Sequence, residues 1–250
     1  MTALNVINHG LTATFLTDTA QYDRQGVIVG FKEKCLAFRD RRLAVASAGW
    51  VMITDQIESV VAKCFTDIDD VIDNGEEVFR AYHAAVEPRI EERCRLIPGA
   101  RADYLTVIGG WSKSRQETRL AIFKTQGGVE FLRDSKTVIM PLFDGLISKD
   151  PRRLGPAASV EMVKRQRDYF GEGGDSDHGE RVVGGHILVT IVGEHGVDQK
   201  VVHRWPEDRI GERIQPRTLA ANSAAPIVPQ GMSRQQRRAW ERQQGKKAAA

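Results

Sequence analysis

Residues 2–18 read TALNVINHGLTATFLTD, two short runs of β-prone residues on either side of a turn. The first run covers residues 3–8 and the second covers residues 11–18. Between them, Asn8-His9-Gly10 combines residue types that favour a tight turn. The pattern predicts an N-terminal β-hairpin.

Thr2 directly follows the initiator methionine, whose removal is favoured when the second side chain is small. The shortened chain would carry a free α-amine and a hydroxyl on one residue. An α-amine has a pKa of about 7.7–8, so near neutral pH much of it can act as a base. It can take the proton from the Thr2 hydroxyl as that oxygen attacks a carbonyl carbon. Thr2 is therefore a candidate nucleophile, although threonine at position two is common.

The rest of the chain alternates between strand and helix patterns. Further strands are expected at residues 34–38, 43–48, 104–111, 119–124, 129–133, 137–142, 182–192 and 197–205. Helices are expected at residues 50–65, at residues 156–169, and in a segment that Asp73 and Asn74 can cap and that Pro98-Gly99 ends. This order fits an α+β fold: a four-layer α/β/β/α sandwich of two antiparallel sheets with helices on both outer surfaces, although it also fits other α+β proteins.

Composition separates a domain from a basic tail. The 250 residues are 41% hydrophobic and carry a net charge of +3. Residues 234–247 hold six bases and one acid; without them 30 bases face 32 acids, a net charge of −2. The apolar periodicity ends beyond Pro206, so we expect a domain over residues 2–205 and an extended basic tail over residues 206–250. The domain offers no electrostatic case for binding nucleic acid.

Several classes of protein are disfavoured by features that the sequence lacks. No run approaches the ~18 apolar residues of a membrane helix, and the N-terminus lacks the features of a signal peptide. We expect a cytoplasmic protein whose three widely spaced cysteines are reduced. There is no GxxxxGK[ST] element for ATP, and no cofactor is expected. The carboxylates of residues 175–180 offer a weak candidate site for a hard cation.

Asp18, Lys34 and the Ala48-Gly49 pair are the other candidate catalytic groups. A buried, positively charged lysine beside the N-terminal amine would favour the neutral form of that amine, because like charges disfavour each other. Asp18 can pair with Lys34 and hold it in place. Backbone N–H groups of Ala48 and Gly49, where a strand meets a helix, can stabilise an oxyanion. Taken singly, each of these features also has an ordinary structural explanation.

Together these residues resemble the proteasome beta-subunit family and its bacterial relative, the peptidase subunit of a two-component ATP-dependent protease. Counting from Thr2, Asp18 lies sixteen residues on and Lys34 thirty-two, the spacings of the family's Asp and Lys. Five motifs over residues 2–205 resemble the family in order: Asn8-His9-Gly10, Leu16-Thr17-Asp18-Thr19-Ala20, Ser47-Ala48-Gly49, Ile108-Gly109-Gly110-Trp111, and Val183-Gly184-Gly185-His186-Ile187-Leu188-Val189 with Glu194-His195-Gly196-Val197.

The resemblance implies an N-terminal-nucleophile hydrolase that cleaves peptides or unfolded proteins inside a homo-oligomeric ring, with a separate unfolding ATPase as a partner. Thr2 would be the nucleophile, Lys34 and Asp18 its supporting pair, and the N–H groups of Ala48 and Gly49 the oxyanion donors. Glu180 and Val183 stand where many members have an Asp and a Ser, so Glu180 is the candidate for the supporting acid. The family's other serine corresponds to no obvious position; Ser148 and Ser159 are the candidates.

Three alternatives stay open at this stage. The same fold can hydrolyse a small amide, or it can persist as a catalytically weak or inactive assembly protein, which Val183 in place of serine favours. The basic tail can also bind RNA or an acidic partner. A short solubilising tail, or one that lies on a neighbouring subunit, accounts for the same residues.

Overall fold

A computed structural model describes residues 3–23, 26–49, 51–96, 103–126, 128–140, 154–168 and 183–214, with only the backbone at 51–54 and 168. The strands are β1 (Leu4–Asn8), β2 (Thr12–Asp18), β3 (Ala20–Tyr22), β4 (Ile28–Phe31), β5 (Cys35–Phe38), β6 (Leu43–Ala48), β7 (Leu105–Ser112), β8 (Glu117–Lys124), β9 (Glu130–Arg133), β10 (Thr137–Met140), β11 (His186–Gly193) and β12 (Gly196–Arg204). The helices are α1 (Val51–Cys64), α2 (Ile68–Leu96) and α3 (Pro156–Asp168), with a 3-10 turn at Arg39–Arg41.

Within these ranges the strands form two five-stranded sheets and one short hairpin, β3–β4. The first sheet has the order β10-β1-β2-β11-β12 and the second the order β5-β6-β7-β8-β9. Every pairing in both sheets is antiparallel. The predicted α+β class, with two antiparallel sheets, is confirmed.

Three groups of buried apolar side chains show how the layers stack. Between the two sheets lie, among others, Leu4, Val6, Phe15, Cys35, Ala44, Ala46 and Val107. Between the second sheet and helices α1 and α2 lie Val45, Ile57, Val61, Ile68, Phe79, Ile108 and Phe123. Between the first sheet and α3 lie Leu16, Val163 and Val189. Because successive strand residues face opposite sides, each sheet supplies side chains to two apolar layers, and the four-layer sandwich follows.

The predicted N-terminal hairpin is present. Its register pairs Leu4 with Thr17 and Asn8 with Ala13. Gly10 has φ +90°, a backbone angle that favours glycine, and its N–H donates to the Asn8 side chain at 2.8 Å. The Asn8 amide also donates to Thr118 O at 2.8 Å, which ties this turn to the second sheet.

Helix α2 differs from its predicted start. It begins at Ile68, so Asp73 and Asn74 lie inside it. The cap is Asp67, whose carboxylate accepts the N–H of Asp70 at 3.0 Å. Several residues here can cap a helix, and the earlier start buries Ile68, Val71 and Ile72 in the apolar group that contains Ile108 of the second sheet. The hairpin β3–β4 was also not predicted, because its strands are only three and four residues long.

The chain continues to pack on the sandwich after β12. Asp208 and Ile214 are buried, and Arg213 forms an isolated antiparallel bridge with Val27. The boundary at residue 205 stays a prediction, and residues 215–250 lie outside the described part of the chain. No helix in the described ranges is long and apolar enough to cross a membrane.

Candidate active site

The strand register gathers four of the predicted site residues, Asp18, Lys34, Ala48 and Gly49, at one end of the sandwich. Leu4 at the start of β1 pairs with Thr17, next to Asp18 at the end of β2. In the second sheet, Cys35 at the start of β5 pairs with Ala46, near the end of β6. Lys34, which precedes β5, therefore lies at the same end of its sheet as Ala48 and Gly49. An antiparallel arrangement brings these sequence-distant residues together because the start of one strand adjoins the end of the next.

Asp18 is the centre of the site. It is fully buried, and its carboxylate accepts four hydrogen bonds from the described residues. Lys34 Nζ lies 2.9 Å from each oxygen. The N–H of Ala3 donates to Oδ1 at 3.0 Å, and the N–H of Gly184 donates to Oδ2 at 3.2 Å. The carboxylate thus connects the residue after Thr2, the second sheet, and the start of the last hairpin.

Burial raises the pKa of the Asp18 carboxyl, since a buried charge loses its hydration. The positive charge and hydrogen bond of Lys34 oppose that rise in pKa, as do the N–H groups of Gly184 and Ala3. The Lys34 side chain is only 12% exposed. Each charge of this pair is therefore costly without the other.

Ala48 and Gly49 lie where β6 ends, shortly before α1. Ala48 is buried and Gly49 is exposed. Gly49 has φ +121°, and a Cβ there would lie 2.8 Å from Tyr104 Cβ and 2.9 Å from Asp103 O. Only glycine fits this turn without displacing its neighbours. The backbone angle and the close contacts together explain why this residue is glycine.

The remaining predicted residues fall into two groups. Thr2, Ser148, Glu180 and the carboxylates of residues 175–180 lie outside the described residues. Ser159 is in α3, where its hydroxyl donates to Gly155 O at 3.1 Å within the same segment. Val183 is fully buried in the apolar group that contains Ala3 and Val163, so its side chain packs beside the start of β1.

Sequence reasoning missed a second buried ion pair next to this site. Arg167 in α3 donates to both carboxylate oxygens of Asp208, at 2.7 and 2.6 Å. The side chains are 2% and 1% exposed. The guanidinium carbon also lies 4.6 Å from the centre of the Trp205 ring. The available signal was weak, because Asp208 follows Trp205-Pro206 at the point where the apolar periodicity ends.

No protein-family model and no curated protein sequence matches the chain. Solved structures do match it. An Anbu (Gly-1) mutant from Hyphomicrobium sp. strain MC1 is 13% identical, with a TM-score of 0.55 over 84% of this chain and 89% of that chain. Anbu from the same strain is 16% identical, with a TM-score of 0.53 over the same shares. Anbu (ancestral beta-subunit) from Yersinia bercovieri is 16% identical, with a TM-score of 0.50 over 81% of this chain and 88% of that chain. At these identities the likeness is one of fold, and over most of its length this chain has the fold of the Anbu proteins.

Proposed function

We propose that the chain is a threonine-type endopeptidase that uses the Thr2 hydroxyl after removal of Met1. One observation carries this proposal. The same oxygen of Asp18 accepts the N–H of Ala3, the residue bonded to Thr2, and the ammonium of Lys34. A buried lysine is thereby held next to the first residues of the chain, where an N-terminal nucleophile needs it.

The first half of the reaction forms an ester. The Thr2 α-amine accepts the hydroxyl proton as Oγ attacks the carbonyl carbon of a peptide bond. The charge of Lys34 favours the neutral, basic form of that amine and stabilises negative charge on Oγ. The N–H groups of Ala48 and Gly49 receive the oxyanion. Glu180 is the acid assigned to support the amine.

The second half releases the product. The tetrahedral intermediate collapses, the leaving amine takes the proton from the Thr2 ammonium, and the acyl group stays on Oγ as an ester. Water then attacks this ester with the amine again acting as base. The C-terminal fragment of the substrate leaves first, with a new amine. The N-terminal fragment leaves second, with a new carboxylic acid, and Thr2 is regenerated.

The proposal includes a homo-oligomeric ring that encloses the sites. A structural neighbour is described as an ancestral beta-subunit, which supports assembly through this fold. Enclosure would keep an unspecific peptidase away from folded proteins, and a separate ATPase would deliver unfolded ones. Light scattering on the purified protein tests the ring. We expect the molar mass of a multi-subunit assembly, and the mass of a monomer at the concentration used for activity contradicts the ring.

The chemistry is tested by intact mass spectrometry before and after an N-terminal-threonine-directed epoxyketone, which needs the hydroxyl and free amine of one residue. We expect loss of Met1 and a single adduct that Thr2→Ala abolishes. A retained Met1, or no adduct on an assembled protein lacking Met1, overturns the proposal.

A second candidate function is a catalytically inactive assembly protein of the same fold. The buried, apolar Val183 favours it, since valine cannot supply the hydroxyl found there in many proteasome-like peptidases. The two candidates differ in the same experiment: an assembled ring that has lost Met1 yet forms no adduct supports the inactive candidate.

A further inference from the structure

The Arg167–Asp208 pair is bonded to the backbone that faces Asp18. Arg167 Nη1 donates to Val183 O at 3.0 Å, in addition to Asp208. The N–H of Gly185 donates to Asp208 Oδ2. A two-pronged guanidinium–carboxylate contact has one preferred geometry, so the pair is a rigid support for residues 183–185.

Two consecutive peptide planes connect this pair to the site. In the first plane, the carbonyl of Val183 binds Arg167, while the N–H of Gly184 binds Asp18. Because a trans peptide unit is planar and its C=O and N–H point in opposite directions, holding the carbonyl aims the N–H at the carboxylate. A donor on the carbonyl also polarises the unit and strengthens its N–H as a donor.

The second plane has the same arrangement in reverse. Its N–H, from Gly185, binds Asp208. Its carbonyl, from Gly184, accepts the N–H groups of Thr19 at 3.2 Å and Ala20 at 3.1 Å. The segment that follows Asp18 is therefore attached to the ion pair through a second rigid unit.

Positions 184 and 185 lie between the Arg167–Asp208 pair and the end of β2, where only glycine fits. A Cβ on Gly184 would lie 2.7 Å from Asp208 Oδ2 and 3.1 Å from Arg167 Nη1. Gly185 has φ +79°, and its Cβ would lie 2.6 Å from Thr19 Oγ1. The two glycines thus allow the backbone to lie directly between the buried charges and Asp18.

We propose that Arg167 and Asp208 are positioning residues for Asp18, acting through the peptide planes of Val183–Gly184 and Gly184–Gly185. This inference rests on the function proposed above, in which Asp18 orients Lys34. Among the described residues, the other groups that bind Asp18 are Lys34, which precedes β5, and the Ala3 N–H, which precedes β1. Both reach the carboxylate from segments other than the one that carries Gly184.

The test uses the double variant Arg167→Met/Asp208→Leu, which removes both charges and keeps apolar side chains of similar size. Replacing a whole buried pair in this way is often neutral for stability. The Asp18 carboxyl is followed by 13C NMR in aspartate-labelled protein, with Asp18→Asn for assignment. We expect its pKa to rise, because a hydrogen bond to the charged form is weakened. A rise of about 1 in this pKa leaves about ten times less Asp18 carboxylate at any pH below both values. The pH profile for epoxyketone inactivation also reports the Thr2 α-amine, which acts as the base, so the Asp18 pKa itself is the deciding measurement.

The control is Arg119→Met/Asp134→Leu, which removes another two-pronged contact, at 2.8 and 2.9 Å, between β8 and the residue after β9. Arg119 also binds Asp69 at 3.0 Å, and Asp69 keeps its hydrogen bonds from Ser112 and Ser114 in this variant. The control should leave the Asp18 pKa unchanged. An unchanged Asp18 pKa in the folded Arg167→Met/Asp208→Leu protein, or an equal rise in the control, overturns the inference.

Two further arms keep the outcomes separate. If the double variant does not fold, Arg167→Lys retains the buried positive charge but loses the two-pronged contact. The Asp18 pKa should again rise, and no rise overturns the inference.

The NMR measurement of the Asp18 pKa does not require an active enzyme. A wild-type protein that forms no epoxyketone adduct, but whose Asp18 pKa responds to the variants, contradicts the peptidase function and supports the positioning.

Discussion

Lys34 Nζ lies 2.9 Å from both carboxylate oxygens of Asp18, and this ion pair joins the two sheets at one end of the sandwich. Asp18 ends β2 in the first sheet, and Lys34 precedes β5 in the second. The aspartate is fully buried and the lysine side chain nearly so. The pair therefore has two consequences: it fixes the position of an ammonium group next to the start of the chain, and it makes each residue depend on the other.

Lys34→Met should lower the free energy of unfolding by about 3–5 kcal/mol at pH 7.5, because it leaves a buried carboxylate without its counter-charge. Asp18→Asn/Lys34→Met, which removes both charges, should recover part of that loss. The folded-state pKa of Asp18 is raised by burial, and loss of Lys34 raises it further. A carboxyl whose pKa is higher in the folded state contributes stability in its protonated form. That contribution is complete below the pKa of Asp18 in the unfolded chain and is lost as pH rises through its pKa in the folded protein.

The difference in stability between wild type and Lys34→Met should therefore be larger at pH 7.5 than at pH 5. Urea unfolding at the two pH values measures it. A difference that is the same at both, or that grows toward acid pH, contradicts the assignment of the buried carboxylate as the cause.

Gly49→Ala should destabilise the turn after β6 and slow epoxyketone inactivation, because its Cβ would meet Tyr104 and Asp103 at under 3 Å. Gly128→Ala is the matched control: Gly128 has a similar φ of +116°, with nothing within 4 Å of its Cβ. The control carries only the backbone strain, roughly 1–2 kcal/mol. Thermal unfolding should rank Gly49→Ala well below Gly128→Ala, and equal midpoints would show that the steric contacts do not matter.

Thr17→Val should raise the free energy of unfolding by about 1 kcal/mol, because a buried hydroxyl without a partner costs free energy that an isosteric methyl group does not. Thr17 is fully buried, and its hydroxyl has no hydrogen-bond partner in the described part of the chain. Thr19→Val is the control, since the Thr19 hydroxyl accepts the N–H of His186 at 2.9 Å. Thr19→Val should be destabilising, and a loss of stability in both variants contradicts the prediction.

The three cysteines should differ in their reactivity with iodoacetamide at pH 8. Burial raises the pKa of Cys35 to about 12, so almost none of it is thiolate. Cys64 is exposed, and Cys94 is half-buried with its pKa raised by the same cause. Mass spectrometry should find Cys64 labelled first, Cys94 more slowly, and Cys35 only after unfolding. Labelling of Cys35 in the folded protein would show that the space between the sheets opens.

The sequence predicted the local elements and the spacing of the site residues. The turn at Asn8-His9-Gly10 and the flanking β-prone runs specify the first hairpin, and that hairpin sets the register of Asp18 against the start of the chain. The α+β class followed from the order of such elements. These features are local: they depend on residues within one turn or one strand, where the physical preferences of each side chain act directly.

Tertiary structure alone decided which groups besides Lys34 surround Asp18. Gly184 donates to it from 166 positions away, and Arg167 reaches Asp208 across 41. Neither contact leaves a periodic or compositional trace, because a hydrogen bond between distant segments depends on where the whole sandwich places them. Likewise, the sequence did not show that Ile68, at the start of α2, is buried with Ile108 of the second sheet. The sequence by itself determined most of the strands and helices and how the candidate residues are spaced along the chain. Only the assembled sheets and α3 decided which backbone groups and charges support the carboxylate, because that support comes from segments that meet only in the folded chain.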